Sequence, residues 1–206
     1  MAGPSALQFD TYYHIFNRGI NGENIFPETQ NYAYFLLLYE KHIAPIAETY
    51  AFCLMKNHFH LAVRIRSEAK IAMLLEDTTR TGNVKSGLVS IKFSNFFNAY
   101  AKSINKKYNR TGSLFEHPFG RVLIQSDRQL WAVIAYIHQN PQKHGFVEDF
   151  REWNYSSYPF LIGENDTFLN RETVIDLFSS RKNYIAYHDE MVKGVDSKTT
   201  VLQDYE

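Results

Sequence analysis

Apolar and polar residues alternate along His58–Arg66. Phe59, Leu61, Val63 and Ile65 fall on one side, and His58, His60, Ala62, Arg64 and Arg66 on the other. A period of two predicts a strand with two differently used faces. Thr49–Met55 reads as a second strand before it, and the short Lys56-Asn57 link predicts a hairpin. Elsewhere the period lengthens. Tyr32, Phe35, Leu36 and Tyr39 stand at helical spacing between Pro27-Glu28 and Pro45. Phe93, Phe96, Phe97, Tyr100, Ile104 and Tyr108 draw an apolar stripe along a helix over about 89–108, with Lys92, Lys102, Lys106 and Lys107 mostly off it.

Tyr12–Arg18 is rich in β-formers and ends at Gly19 and the Asn21-Gly22 turn pair, which predicts a first strand, and Phe119–Gln125 predicts a fourth. Ser126 or Asp127 caps a helix that runs to Asn140 and stops at Pro141 and Gly145. Residues 67–87 read as a loop carrying a helical turn or two, residues 146–170 as an aromatic-rich loop, and Glu172–Tyr187 as a last helix, with fraying from about Gly194. The order β-α-β-β-α-β-α is the split βαβ, or ferredoxin-like, pattern. It predicts an α+β protein: a four-stranded antiparallel sheet with helices on one face, the other face free for a ligand, and a C-terminal helical extension.

Composition narrows the class. A chain of 206 residues with 45% hydrophobic and 21% charged residues is ordinary for one globular domain. The single cysteine, Cys53, excludes an intramolecular disulfide framework and Cys-rich zinc sites, and favours a reducing, cytoplasmic setting. The start, MAGPSALQFD, has neither the basic nor the apolar region of a signal peptide, and no apolar run approaches the roughly 20 residues that span a bilayer. Aromatic residues make up 16%, enough both to build a core and to stack on bases.

The formal net charge is zero, which at first argues against a nucleic-acid partner. Its distribution argues otherwise. Residues 56–125 carry 12 basic and 4 acidic side chains, whereas residues 145–206 carry 6 basic and 12 acidic ones. A basic segment is often no more than a solvated face. This one also holds the His-x-His pair.

His58 and His60, at i and i+2 on one strand face, are either exposed strand residues or two ligands for one divalent ion. Arg64 and Arg66 on the same face could hold phosphates. A second cluster is Tyr136-Ile137-His138-Gln139-Asn140-Pro141, in which Tyr136 and Asn140 share one side of a helix. Tyr136 is a possible nucleophile or simply a core-edge residue among 14 tyrosines, and Asn140 a possible ligand or simply a helix terminator.

Several stretches, taken in order, resemble a known family. They are Tyr13-His14-Ile15-Phe16-Asn17-Arg18-Gly19, Met55-Lys56-Asn57-His58-Phe59-His60-Leu61, Asn109-Arg110-Thr111-Gly112-Ser113-Leu114-Phe115, Tyr136 to Pro141, and Trp153-Asn154-Tyr155-Ser156-Ser157-Tyr158. The set is similar to the single-tyrosine HUH transposases, specifically the REP-associated tyrosine transposase-like branch, over about residues 13–158.

The resemblance implies a catalytic domain over 10–145 and an acidic extension over 146–206. It implies a metal-dependent single-stranded DNA endonuclease and strand transferase acting in transposition or recombination, often beside a hairpin. His58 and His60 would hold a divalent ion, Mg²⁺ or Mn²⁺, with Asn140 as third ligand, and Tyr136 would form a 5′-phosphotyrosine link and release a 3′-OH. Arg18, Arg64, Arg66, Lys102, Lys106, Lys107 and Arg110 are the candidate DNA contacts, with His14 added from the first strand. His117 and His138 read as structural or surface residues. Around Glu116-His117-Pro118-Phe119-Gly120 the sequence is less basic than the family pattern. The chain would act as a monomer or a homodimer, with no membrane partner. The competing reading is a noncatalytic single-strand nucleic-acid-binding module on the same fold.

Overall fold

The computed structural model describes residues 6–75, 87–164 and 167–194. Four strands, Tyr12–Arg18 (β1), Ala47–Leu54 (β2), His58–Ile65 (β3) and Gly120–Ile124 (β4), form one sheet in the order β2-β3-β1-β4, with every neighbouring pair antiparallel. This is the α+β sheet the element order predicts. The helices are Thr29–Ile43 (α1), Glu68–Leu74 (α2), Leu88–Lys107 (α3), Asp127–Lys143 (α4), Tyr158–Ile162 (α5), Arg171–Leu177 (α6) and Arg181–Val192 (α7). The rest of the predicted 67–87 loop and the chain beyond Gly194 lie outside the described residues.

The crossover helices α1 and α3 cover one sheet face, and the predicted stripe explains why. Phe93, Phe96, Phe97, Tyr100 and Ile104 are buried, and Phe35 of α1 packs on Phe96 and on Phe59 of β3, with ring centroids 4.8 and 5.1 Å apart. Phe97 meets Phe59 at 5.6 Å. Many of the aromatic residues are used here, in a core of edge-on and tilted rings.

Three expectations change. The opposite face is not wholly free, because α4 lies on it against β2 and β3. Ala51 and Ala62, directly paired and both fully buried, give that face the flat surface a helix can approach. Second, α4 does not stop at Asn140 but runs through Pro141 to Lys143. The amides of His144 and Phe146 donate to the carbonyls of Asn140 and Pro141 at 2.9 and 2.8 Å, closing the last turn that proline would otherwise weaken. Third, the last predicted helix is two, α6 and α7. Ser179 adopts a left-handed φ of 64° between them, and Ser180 caps α7 by accepting from the Asn183 amide at 3.1 Å.

The segment before α5 closes the β2 edge. The Leu54 amide donates to the Tyr155 carbonyl and the Ser157 amide to the Phe52 carbonyl, both at 2.9 Å. The Trp153 indole adds a bond to the Leu54 carbonyl at 2.9 Å. An edge that would otherwise invite another strand is thereby occupied.

Candidate active site

Strand register assembles the site. β1 and β3 pair Arg18 with His58 and Phe16 with His60, so these four side chains share the face that α4 approaches. The hairpin turn is held from the chain leaving β1: the Gly19 amide donates to the Asn57 carbonyl at 2.8 Å, and the Ile25 and Phe26 amides donate to the Lys56 carbonyl at 2.9 and 3.0 Å. β4 pairs Gly120 with Phe16, and a Cβ at Gly120 would sit 2.3 Å from the Phe16 ring, so any larger residue here would displace that ring. A cavity of about 650 Å³ opens here, lined among others by Phe16, Arg18, His58, His60, Tyr136 and His144.

Tyr136, on the sheet-facing side of α4, brings its ring to 5.6 Å from His60 and 6.0 Å from His14, edge-on to both. The tyrosine and the histidine pair therefore meet within one chain. Asn140, one turn on, is fully buried. Its Nδ2 donates to the Tyr136 carbonyl at 2.8 Å, which turns Oδ1 away; that oxygen is buried and makes no well-aligned hydrogen bond, with His58 as its neighbour. The amide lies close enough to His58 to favour the charged imidazole. A buried acceptor left unpaired is costly in a folded protein and suits a cation.

The imidazoles are held neutral. Burial, joined by the nearby His144 and Arg18, pushes His58 down to about 4, against a smaller opposing effect from Asn140. Burial likewise drives His60 well below its ordinary value, with His14, His58, His144 and Lys143 adding to the effect. His14 falls to about 3 through burial alone. The Nδ1 of His58 lies 2.7 Å from Asn57 Oδ1. An amide oxygen only accepts, so His58 carries its proton on Nδ1 and keeps the Nε2 lone pair. The side-chain set of His58, His60 and Asn140 fits a divalent ion in ligand chemistry: two neutral imidazoles and one unpaired amide oxygen.

The basic residues separate. Arg18 lines the cavity, 68% of its side chain exposed, and pairs with Glu116 at 2.8 Å. Arg64 and Arg66 sit at the other end of β3, where Arg64 pairs with Asp10 and Arg66 with Glu48, each at 2.9 Å; neither lines the cavity. Across the sheet, Lys107 at the end of α3 pairs with Glu28 at 3.0 Å, and Arg110, just beyond the helix, with Glu23. Lys106 is exposed, and Lys102 borders a separate hollow of about 230 Å³ together with His117. His14, expected to reach phosphate, is instead fully buried against His60.

Two residues at the site escaped the sequence reading. Lys143 places its ammonium 5.2 Å from the Tyr136 ring centroid, and His144 stacks edge-on to His58 at 5.0 Å. Both follow from the helix running past Pro141. Lys143 is two turns after Tyr136, a spacing that would have exposed it had the helix not been stopped early.

His138 leaves α4 on another side. Its Nδ1 meets His188 Nε2 at 2.9 Å and the Tyr184 hydroxyl at 3.2 Å, and its Nε2 meets Ser157 Oγ at 2.7 Å. His188 Nδ1–H donates to the Tyr184 carbonyl at 2.8 Å. This network ties α4 to α7 and, through Ser157, to β2.

Fold and site together describe a ferredoxin-like sheet on which a His-x-His pair faces a tyrosine and an asparagine from one helix. No protein-family model matches the chain. In sequence it is 29% identical over 114 residues to a Haemophilus influenzae protein that carries the name REP-associated tyrosine transposase, covering 54% of this chain. The match spans 58% of that relative, less than two thirds of its length. In fold it resembles a REP-associated tyrosine transposase solved bound to a REP hairpin, with a TM-score of 0.57 and 13% identity over 79% of this chain and 86% of that one. The chain is thus similar to REP-associated tyrosine transposases in sequence and, separately, in fold.

Proposed function

We propose that the protein is a divalent-metal-dependent single-stranded DNA endonuclease and strand transferase of the REP-associated tyrosine transposase type, acting beside a DNA hairpin. The observation that carries this reading is the meeting of Tyr136 with His58 and His60 at one cavity, with the buried Asn140 amide beside His58 behind it. The solved structural relative, bound to a REP hairpin, supports the choice of DNA.

In this reading the Tyr136 hydroxyl oxygen attacks the scissile phosphorus, and the bond from phosphorus to the 3′ oxygen breaks. The DNA is left with a 5′-phosphotyrosine and a 3′-OH, and the phenolic proton is balanced by the one the 3′ oxygen gains. Attack on the same phosphorus by another 3′-OH restores Tyr136 and joins strands, so neither ATP nor an outside nucleophile is consumed. His58, His60 and Asn140 would hold the ion, which when bound supplies Lewis-acid polarisation of a phosphoryl oxygen. Arg18 holds flanking phosphate at the cavity mouth, exchanging Glu116 for it. Lys143, beside the phenol, offsets negative charge that develops there. Arg64, Arg66, Lys102, Lys106, Lys107 and Arg110, outside the cavity, meet only DNA backbone more distant from the break. The catalytic unit spans 10–145 and the extension 146–206 follows it, its described helix α7 bracing α4 through His188; the reaction takes place in the cytoplasm. Among the described residues no helix is long and apolar enough to cross a membrane.

Incubation with Mn²⁺ and hairpin-flanked single-stranded DNA should give a denaturant-resistant protein–DNA adduct. Tyr136→Phe should abolish it, a loss of at least about 10³-fold. An adduct that persists in Tyr136→Phe would remove the nucleophile assignment. DNA binding without any adduct, unchanged by chelator, would favour the noncatalytic binding module.

A further inference from the structure

The reaction leaves one buried group at the site without a role. His14, from β1, is fully buried. Its Nε2 lies 2.9 Å from Nδ1 of His60, and the two rings stack at 5.0 Å and 18°. Phe16, held in place over Gly120, tilts against His14 at 5.0 Å and stacks near His60 at 5.9 Å. The pair is therefore clamped in plane as well as in distance.

A hydrogen bond between two neutral imidazole nitrogens holds one proton and runs in one of two directions. When His60 Nδ1–H donates, the lone pair of His60 stays on Nε2, the nitrogen left for a ligand. When His14 Nε2–H donates, the proton of His60 sits on Nε2 and that ring cannot ligate. His58 has no such choice, because its Nδ1 faces the Asn57 oxygen, which only accepts. The two histidines of the motif are thus oriented by different devices, one fixed and one reversible.

We infer that His14 is a positioning residue for His60: by accepting the Nδ1–H of His60 it fixes ring plane and tautomer so that Nε2 faces a divalent cation. Ligating imidazoles in general depend on such a partner at the second nitrogen, and its loss typically weakens metal binding 10–100-fold. The inference rests on the reading that His58 and His60 take a divalent ion, and it adds to that reading a third histidine from a different strand.

The test uses the full chain and Mn²⁺ or Co²⁺ alone, without DNA, followed by calorimetry and by the visible absorption of bound Co²⁺. His14→Phe keeps a ring in the space and removes the acceptor; binding should weaken about 10–100-fold. His14→Gln, whose Oε1 can accept, should recover most of that loss. Unchanged ion affinity in folded His14→Phe, or failure of His14→Gln to do better than His14→Phe, would overturn the inference and leave the metal reading standing. Wild-type affinity in the double variant His58→Ala, His60→Ala would overturn the metal reading, and the inference with it. Should His14→Phe fail to fold, ¹⁵N NMR of the metal-free wild type decides: His60 protonated on Nδ1 is expected, and protonation mainly on Nε2 would overturn the proposal.

Discussion

Helix α4 separates two imidazole clusters that are alike in losing their charge to burial and differ in what their nitrogens and neighbours are left to do. On one side stand His14, His58 and His60 with Tyr136 and Asn140; on the other stand His138 and His188 with Tyr184 and Ser157. Burial depresses the pKa of His14, His58 and His60 on the first side and of His138 and His188 on the second. A lowered pKa therefore does not single out the candidate site. What separates them is satisfaction. Both nitrogens of His138 are bonded, and His188 is bonded through both of its own. The first cluster retains the unpaired Asn140 oxygen and opens into a cavity edged by Arg18. Closed polar networks specify packing, whereas open ones leave a valence for a ligand.

The sharpest way to break this comparison is to delete each cluster in turn. The double variant His58→Ala, His60→Ala should lose more than about 10²-fold in adduct formation, with Mn²⁺ binding abolished. His138→Ala should do the reverse. It leaves the buried His188 Nε2 and Tyr184 hydroxyl without their partner, a cost of about 2–4 kcal/mol in urea unfolding, while the Mn²⁺ affinity of the folded protein is unchanged. Equal effects of the two variants on ion binding would erase the distinction.

A smaller effect is shared by both clusters and depends on pH. His188 is held down to about 4 by burial, against a histidine value of 6.5, and burial also drives His138 well below that ordinary value. Between those values the unfolded chain binds protons that the folded chain refuses. Stability is therefore full above about pH 6.5 and declines as pH falls towards 4, by roughly 1.4 kcal/mol per pH unit for each such histidine. Urea titrations at pH 7 and pH 5 measure it, and a flat profile would show that the clusters are not held neutral.

The smallest contrast concerns the arginines. Arg18→Ala, at the cavity, should weaken single-stranded DNA binding by about fivefold to tenfold at low salt, the scale of one phosphate contact. Arg64→Ala, at the far end of β3 and already paired with Asp10, should change it less than twofold, because exposed ion pairs and distant charges contribute little. Matching losses in a fluorescence anisotropy titration would mean that DNA runs the whole length of the strand.

Local periodicity made much of the architecture legible. The alternation along His58–Arg66 defined β3 and the face carrying both histidines, and the Phe-rich stripe defined α3. The order of elements was enough for a four-stranded antiparallel sheet of the split βαβ kind. The site was legible in part: His58, His60, Tyr136 and Asn140 stood out by spacing and by resemblance. Lys143 and His144 did not, because Pro141 is a strong local stop signal that tertiary contacts override. His14 was seen but misassigned. Its place on the strand says which face it occupies and nothing about whether that face is covered.

Sequence by itself determined which residues share a face, since strand and helix periods are properties of the backbone. It also showed that a basic middle and an acidic end lie behind a net charge of zero. Tertiary structure decided which of those faces are open. Only the docking of α4 on the sheet makes His138 a closed structural residue and His60 a cavity residue, and only strand register brings His14 to 2.9 Å from His60. The physical reason is that satisfaction of a polar group depends on what lies across from it, and residues 46 and 50 positions away supply the partners of His14 and His138 here.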